Sequence, residues 1–188
     1  MTRLFAAAIL LALVTGCAGL APTVPGSAAP DPQAGYVAGL FNRQGMSFAM
    51  VLRAVDGGGS YILPMGEDTR WPGDLERSSV AVAVKPGTYT VAEWFTYGTV
   101  NKEVISRRPN TIAALQAPFV VKAGAVLHLG EISVASLPVP GPNGYTAGIE
   151  LRVSPRATPW REVRGAFERA YPMLASQPAS CILCGAGP

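Results

Sequence analysis

The chain has 188 residues and a formal net charge of +3 at neutral pH, from 15 basic and 12 acidic side chains. This length suits one domain with a proper hydrophobic core. The charge is small and scattered along the chain, which argues against nucleic acid as a partner.

The first residues are typical of a secretory signal peptide. Arg3 precedes an apolar run from Leu4 to Val14, and Thr15-Gly16-Cys17 follows. The run is about eleven residues long, half of the roughly 20 that a membrane-spanning helix needs. An uncleaved anchor that continues through Ala21 is the less favoured alternative, because polar and glycine residues interrupt it.

The motif Val14-Thr15-Gly16-Cys17 resembles the lipobox of bacterial lipoproteins. This resemblance implies that residues 1–16 are a lipoprotein signal peptide, and that Cys17 is lipidated and becomes the mature N-terminus. Two or more acyl chains hold a protein stably on a membrane. Ala18 stands where an aspartate would favour the inner membrane. We therefore expect a lipid anchor in the outer membrane, on its periplasmic face.

Residues 17–35 are predicted to form the lipidated cysteine and a flexible tether. Alanine, proline, glycine and serine dominate this segment, and Asp31 is its one charged residue. Such a composition buries too little apolar surface to fold by itself.

Residues 36–155 are predicted to form an antiparallel β-sandwich of about seven or eight strands. Short runs rich in valine and aromatic residues alternate with glycine and proline turns, as expected for an all-β domain. The pattern pairs strands 46–55 and 60–65, then 79–84 and 89–95, then 117–122 and 126–135, with a last strand at 145–153.

Residues 156–175 are predicted to form one C-terminal helix that packs on a face or edge of the sandwich. Thr158 suits the N-cap, and Pro159 suits the first helical position. Pro172 should end the helix near Tyr171. A single apolar stripe contains Trp160, Val163, Phe167, Tyr171 and Leu174.

Two segments carry a family resemblance. Residues 82–91 (VAVKPGTYTV) and 119–132 (FVVKAGAVLHLGEI) resemble a group of uncharacterised bacterial outer-membrane lipoproteins, with a PG-x-Y hairpin and an AG-xxx-(Y/H)LG strand. The resemblance implies a prealbumin-like or immunoglobulin-like sandwich. His128 departs from the pattern, because an aromatic residue is usual there. The group offers no catalytic residues to transfer.

The tail at residues 176–188 contains Cys181 and Cys184. If lipid occupies Cys17, these two cysteines remain as a pair, and an oxidising envelope favours a disulfide between them. A thiol-redox or metal site is the alternative, but the residues after Cys184 cannot start the helix that would activate a thiolate.

Catalytic residues are not expected. The sequence has no GxSxG elbow. His128 is the one histidine, and strand alternation places it with Val126 and Ile132, with Glu131 on the opposite face. We therefore expect no catalytic residue, no metal and no cofactor.

Aromatic and arginine side chains near strand ends suggest a binding surface, formed by Arg70, Trp71, Trp94 and Tyr97. Trp94 is either exposed or covered by the C-terminal helix. The sequence favours a non-enzymatic, lipid-anchored envelope protein that serves as a protein- or envelope-binding module, with an unidentified envelope protein as its expected partner. The alternative is a periplasmic metal-binding or thiol-redox protein that uses Cys181 and Cys184.

Overall fold

β-Strands make up most of the computed structural model, which describes residues 23–44, 47–65, 76–98 and 101–185. The predicted signal peptide and Cys17 lie outside the described residues. The strands are β1 (Gly35–Gln44), β2 (Ser47–Ala54), β3 (Ser60–Pro64), β4 (Glu76–Val84), β5 (Gly87–Tyr97), β6 (Val104–Pro109), β7 (Phe119–Val121), β8 (Val126–Pro140), β9 (Thr146–Arg156) and β10 (Ala179–Cys181). The α-helices are α1 (Ala113–Gln116) and α2 (Trp160–Ala170).

The strands form two five-stranded sheets. Sheet 1 has the order β4-β1-β8, and β9 and β10 pair with successive parts of the remaining edge of β8. Sheet 2 has the order β3-β2-β5, and β6 and β7 share the remaining edge of β5 in the same way. The sheets therefore have the same outline, with one inner strand pairing with two strands along one edge.

One hydrophobic core lies between the two sheets. Both inner faces contribute large buried side chains, among them Phe41, Leu129 and Ile132 from sheet 1 and Phe48, Met50, Leu63 and Trp94 from sheet 2. Burial of alternate side chains from two facing sheets is the arrangement of a β-sandwich. The all-β prediction is confirmed at this level.

The strand pairing differs from the prediction in three respects. β1 and β10 both run parallel to β8, so sheet 1 is mixed and not purely antiparallel. The predicted hairpins β4–β5 and β7–β8 are wrong, because each short connection carries the chain from one sheet to the other. The described residues contain ten strands, and β1, β6 and β10 have no counterpart among those predicted.

Two bulges change which side chains face the core. In β5, Ala92 has no partner in β2, because Val51 pairs with Glu93 and Leu52 pairs with Val91. In β8, the register against β1 shifts by one residue between His128 and Glu131, where Gly130 adopts a φ of 107°. An extra residue in one strand reverses the alternation beyond it.

Helix α2 lies on the outer face of sheet 1. Its buried side chains Phe167 and Tyr171 pack with Tyr36, Ala81 and Val126 of the sheet. Val163 and Leu174 are also buried, so the predicted apolar stripe is confirmed apart from Trp160, which is half-buried.

Both ends of α2 sit close to the predicted boundaries. Pro172 follows the helix and begins a short 3₁₀ turn, as expected for a residue that cannot continue an α-helix. At the other end, Pro159 occupies the N-cap and no side chain caps the helix. The hydroxyl of Thr158 donates instead to Glu131. No helix in the described ranges is long and apolar enough to cross a membrane.

Residues 23–34 pack against the domain, although they belong to the predicted flexible tether. The backbone N–H of Val24 donates to the carbonyl of Ala81 at 2.9 Å, and Val24 contacts the cluster beneath α2. The N–H of Asp31 donates to the hydroxyl of Tyr36 at 2.7 Å. The tether prediction therefore applies to residues 17–22 at most, which lie outside the described residues.

Candidate functional site

Trp94 and Tyr97 do not form the predicted binding surface. Trp94 is 5% exposed and lies in the core, with its ring centroid 6.0 Å from that of Phe48. The bulge at Ala92 turns Trp94 inward, so it is neither exposed nor beneath α2, which packs on the other sheet. Tyr97 is buried with Phe95 on the outer face of sheet 2. Arg70 and Trp71 lie outside the described residues.

Cys181 and Cys184 form a disulfide, as the sequence predicts. Cys181 ends β10 and lies beside His128 in the parallel pairing with β8. Beyond it, the N–H groups of Ile182 and Leu183 donate to carbonyls of β8, and that of Gly185 donates to Thr158. The described part of the predicted tail, residues 176–185, is thus attached to sheet 1.

The sulfur atoms of this pair are bonded to each other, so neither is a thiolate that could ligate a metal. Within the ranges that the structure describes, no three histidine, cysteine, aspartate or glutamate side chains come together as a metal site would require.

A buried carboxylate, Glu131, lies at the floor of a cleft beside the start of α2. Glu131 is 3% exposed, and its Oε2 accepts hydrogen bonds from Arg77 at 2.6 Å and from the Thr158 hydroxyl at 2.7 Å. The Nε of Arg156 lies 3.6 Å from its Oε1. Arg77 also donates to Glu162 of α2 at 2.5 Å. The cluster therefore joins β4, β8, β9 and α2.

The pKa of Glu131 is lowered by these contacts. Burial alone raises it, but the hydrogen bonds from Arg77 and Thr158 and the charges of Arg77 and Arg156 outweigh burial. Glu131 is consequently ionised at neutral pH and both its oxygens are engaged. It holds elements together and is not arranged to carry a proton.

The cleft above Glu131 has a volume of about 580 Å³ and is lined mainly by polar groups. Two arginines and two glutamates balance each other in charge there. Its residues include Asn42, Arg77, Glu131, Arg156, Thr158 and Glu162. Regular strand alternation does not predict this cluster, because it puts Glu131 on the face opposite His128. The bulge at Gly130 puts both side chains on the same face.

His128 is buried between sheet 1 and α2. Its ring centroid lies 4.6 Å from that of Phe167 and 5.0 Å from that of Trp160, both edge-on. Its Nε2 is buried without a hydrogen-bond partner. Burial, aided by the charge of Arg164, lowers the pKa of His128 to about 4. The imidazole is therefore neutral at physiological pH and packs as an aromatic ring.

The longest strand pair, β8 with β9, ends in an exposed hairpin. We call residues 137–149 the hairpin arm. Leu137 pairs with Glu150 at its base, and the N–H of Gly141 donates to the carbonyl of Tyr145 at its tip. Tyr145 is 75% exposed, Ile149 is 59% exposed and Val139 is 40% exposed.

The hairpin arm also carries no side chain that is charged at neutral pH. From Ile132 to Ile149 the sequence contains no Asp, Glu, Lys, Arg or His. Val139 and Ile149 lie on opposite faces of the hairpin, because Val139 pairs with Gly148 and Ile149 pairs with Pro138, so apolar side chains are exposed on both faces. The turn at the tip is evident in the sequence, but its exposure depends on sheet 2, which does not extend over it.

Comparisons with known proteins do not identify a relative. No protein-family model and no curated protein matches this chain. Among solved structures, it is similar to a leucine-rich repeat protein from Bacteroides thetaiotaomicron, at 18% identity and a TM-score of 0.36. That match covers 56% of this chain and 13% of the other. A likeness this weak carries no argument about function.

Proposed function

We propose that this protein is a lipid-anchored, non-enzymatic protein of the bacterial outer membrane that faces the periplasm and binds another envelope component. The observation that carries the proposal is the apolar run from Leu4 to Val14, whose last residue begins the motif Val14-Thr15-Gly16-Cys17. Ala18 after the cysteine supports the outer membrane. An immunoglobulin-like or prealbumin-like sandwich is the finer part of the proposal, and it rests on the resemblance of residues 82–91 and 119–132.

The binding element in this proposal is the hairpin arm. It replaces the surface predicted from Trp94 and Tyr97, because those side chains are buried. Tyrosine and isoleucine exposed at the end of a protruding hairpin are available to a partner without any change in the core.

Lipidation is tested by replacing Cys17 with serine and using Cys184→Ser as the matched control. Cells are grown with radiolabelled palmitate, and the protein is recovered from separated inner and outer membranes. We expect label in the outer-membrane fraction for the native chain and Cys184→Ser, and none for Cys17→Ser. A native protein that reaches membranes without label on Cys17 contradicts the proposal.

The second candidate function, a thiol-redox or metal-binding protein, requires reduction of the Cys181–Cys184 disulfide, which would free a thiol beside His128 on β8. Its test is a count of free thiols and bound metal in protein purified from the envelope without reductant. Two free thiols with a stoichiometric metal favour this candidate. An oxidised, metal-free pair that a glutathione redox buffer does not reduce eliminates it.

A further inference from the structure

We propose that the hairpin arm inserts shallowly into the head-group region of a lipid bilayer, giving the domain a second point of membrane attachment besides Cys17. This inference rests on the proposed lipid anchor, since the anchor brings the domain to a membrane. The partner is the lipid surface itself.

The side chains of the arm suit this environment. Charged groups are costly within a bilayer, and the 13 residues of the arm contain none. Tyrosine is enriched at membrane interfaces, because its ring is apolar and its hydroxyl stays hydrated. Tyr145 stands at the tip, with Val139 and Ile149 exposed behind it.

The backbone of the arm limits insertion to head-group depth. Unpaired N–H and C=O groups are costly in hydrocarbon, and the outward-facing groups of a two-stranded hairpin keep their water only in the head-group region. Val139 pairs with Gly148 and Pro138 pairs with Ile149 across the hairpin. Pro138, Pro140 and Pro142 have no N–H to satisfy.

The shape of the arm favours lipid over a protein partner. Two strands lie about 5 Å apart, so the arm is a narrow projection roughly 10 Å wide. A standard protein interface buries about 800 Å² on each partner. A narrow tip can bury that much surface only if the partner has a groove that encloses it. A bilayer interface accepts a convex apolar tip without such a groove.

The length of chain before the described residues sets the distance to the membrane. Thr23 follows Cys17 by six residues, which span at most about 20 Å when fully extended. The next residue, Val24, donates its N–H to the carbonyl of Ala81. Ala81 lies level with His128 of β8 across sheet 1, because both pair with Ala38 of β1. The end of β8 at Pro140 is about 40 Å further along the strand. Cys17 and the tip of the arm therefore reach the same membrane surface when the strands of sheet 1 are inclined to that surface.

The test uses the full-length lipidated protein with one added cysteine, labelled with an environment-sensitive fluorophore. Ile149→Cys places the label on the arm, and Ile105→Cys is the matched control, since Ile105 of β6 is also 59% exposed. Each labelled protein is reconstituted into vesicles of phosphatidylethanolamine and phosphatidylglycerol. Quenching is measured with lipid carrying a nitroxide on its head group and, separately, with aqueous iodide.

We expect the label at position 149 to lose fluorescence with the nitroxide lipid and to be protected from iodide. The label at position 105 should show the reverse. Equal access of both labels to iodide overturns the inference. Shielding of position 149 from both quenchers indicates contact with protein and also overturns it.

Mass spectrometry of the same samples separates the two proposals. Acylated Cys17 with a water-exposed label at position 149 removes only the arm inference. An unmodified Cys17 removes the proposed function, whatever the label shows.

Discussion

His128 makes the stability of the domain depend on pH. Its pKa is about 4 in the folded protein and 6.5 as an unperturbed side chain, because burial beneath α2 disfavours the charged form. Between these values the unfolded chain binds a proton that the folded chain does not. The contribution of His128 is therefore fully present above pH 6.5 and is lost as the pH falls toward 4, by about 1.4 kcal/mol per pH unit.

The measurement is urea denaturation of the native protein and His128→Phe at several pH values from 7 to 4. Phenylalanine keeps the edge-on contacts with Phe167 and Trp160 and has no proton to bind. The free energy of unfolding of the native protein should fall by up to about 3 kcal/mol more than that of the variant. Glu131, whose pKa is lowered, weakens both proteins alike at the acid end. Parallel pH profiles would show that His128 is not the titrating group.

Gly130 is expected to resist substitution. Its φ of 107° is rarely adopted by other residues, and a Cβ there would lie 2.7 Å from the Cβ of Leu183. Gly130→Ala should therefore lower the free energy of unfolding by about 1–3 kcal/mol from backbone strain, with further loss from the clash.

The matched control is Gly148→Ala in β9, where an added Cβ meets no atom within 4 Å and φ is not positive. That variant should unfold at nearly the native denaturant concentration. Equal effects from the two substitutions would contradict the role assigned to the bulge.

Glu131 connects α2 and β9 to sheet 1, and removing its charge tests that connection. Glu131→Gln keeps the volume but leaves Arg77 and Arg156 without their buried partner. Arg77 is partly exposed, so water compensates in part, and we expect a loss of about 2 kcal/mol in unfolding free energy.

The corresponding exposed pair provides the control. Glu150 pairs with Arg152 at the surface of β9, at 2.9 Å. Glu150→Gln should change the free energy of unfolding by less than about 0.5 kcal/mol. Comparable losses from both variants would mean that burial of Glu131 is not what matters.

The disulfide should contribute modestly to stability. It closes a loop of only four residues, for which the chain-entropy model gives about 2 kcal/mol. The double variant Cys181→Ser and Cys184→Ser should unfold at a lower urea concentration than the native protein. Adding a reductant should bring the native protein to the midpoint of the variant, and no shift on reduction would show that the pair contributes nothing.

The sequence predicts elements whose pattern is uninterrupted. The β2–β3 hairpin and α2 occur as predicted, because each keeps one periodicity from end to end. Trp94 faces the core instead of the outer side of sheet 2, and Glu131 shares a face with His128 instead of lying opposite it. In both strands a single-residue bulge, at Ala92 or Gly130, reverses the alternation. A bulge depends on the partner strand, so the strand's own residues do not reveal it.

The false hairpins have a related cause. The segment Lys85-Pro86-Gly87 has the proline and glycine residues of a hairpin turn, and the strands on both sides alternate as hairpin strands do. Both strands contact the same core from opposite sheets, which produces the same pattern of buried residues. Local periodicity reports burial and does not report which sheet a strand joins.

At the scale of the whole molecule, the hairpin arm should be dispensable for folding. Leu137 and Glu150 are paired, so an Asn-Gly turn can join them directly in place of residues 138–149. The deleted side chains are mostly exposed and outside the core, so the free energy of unfolding should change by less than about 1 kcal/mol. Loss of a single cooperative transition in urea would contradict this.

The position of β8 at the centre of sheet 1 has a consequence for the order of folding. Its parallel partner β1 is ninety residues earlier in the chain, since Tyr36 pairs with Val126. Closing a loop of that length costs about 4 kcal/mol of chain entropy before any contact is gained. During synthesis, β1 and β4 emerge first and leave one edge of β1 open until residue 126 and its successors arrive. Sheet 1 is therefore completed late, and this open edge is the surface on which an unfinished chain is most exposed to aggregation.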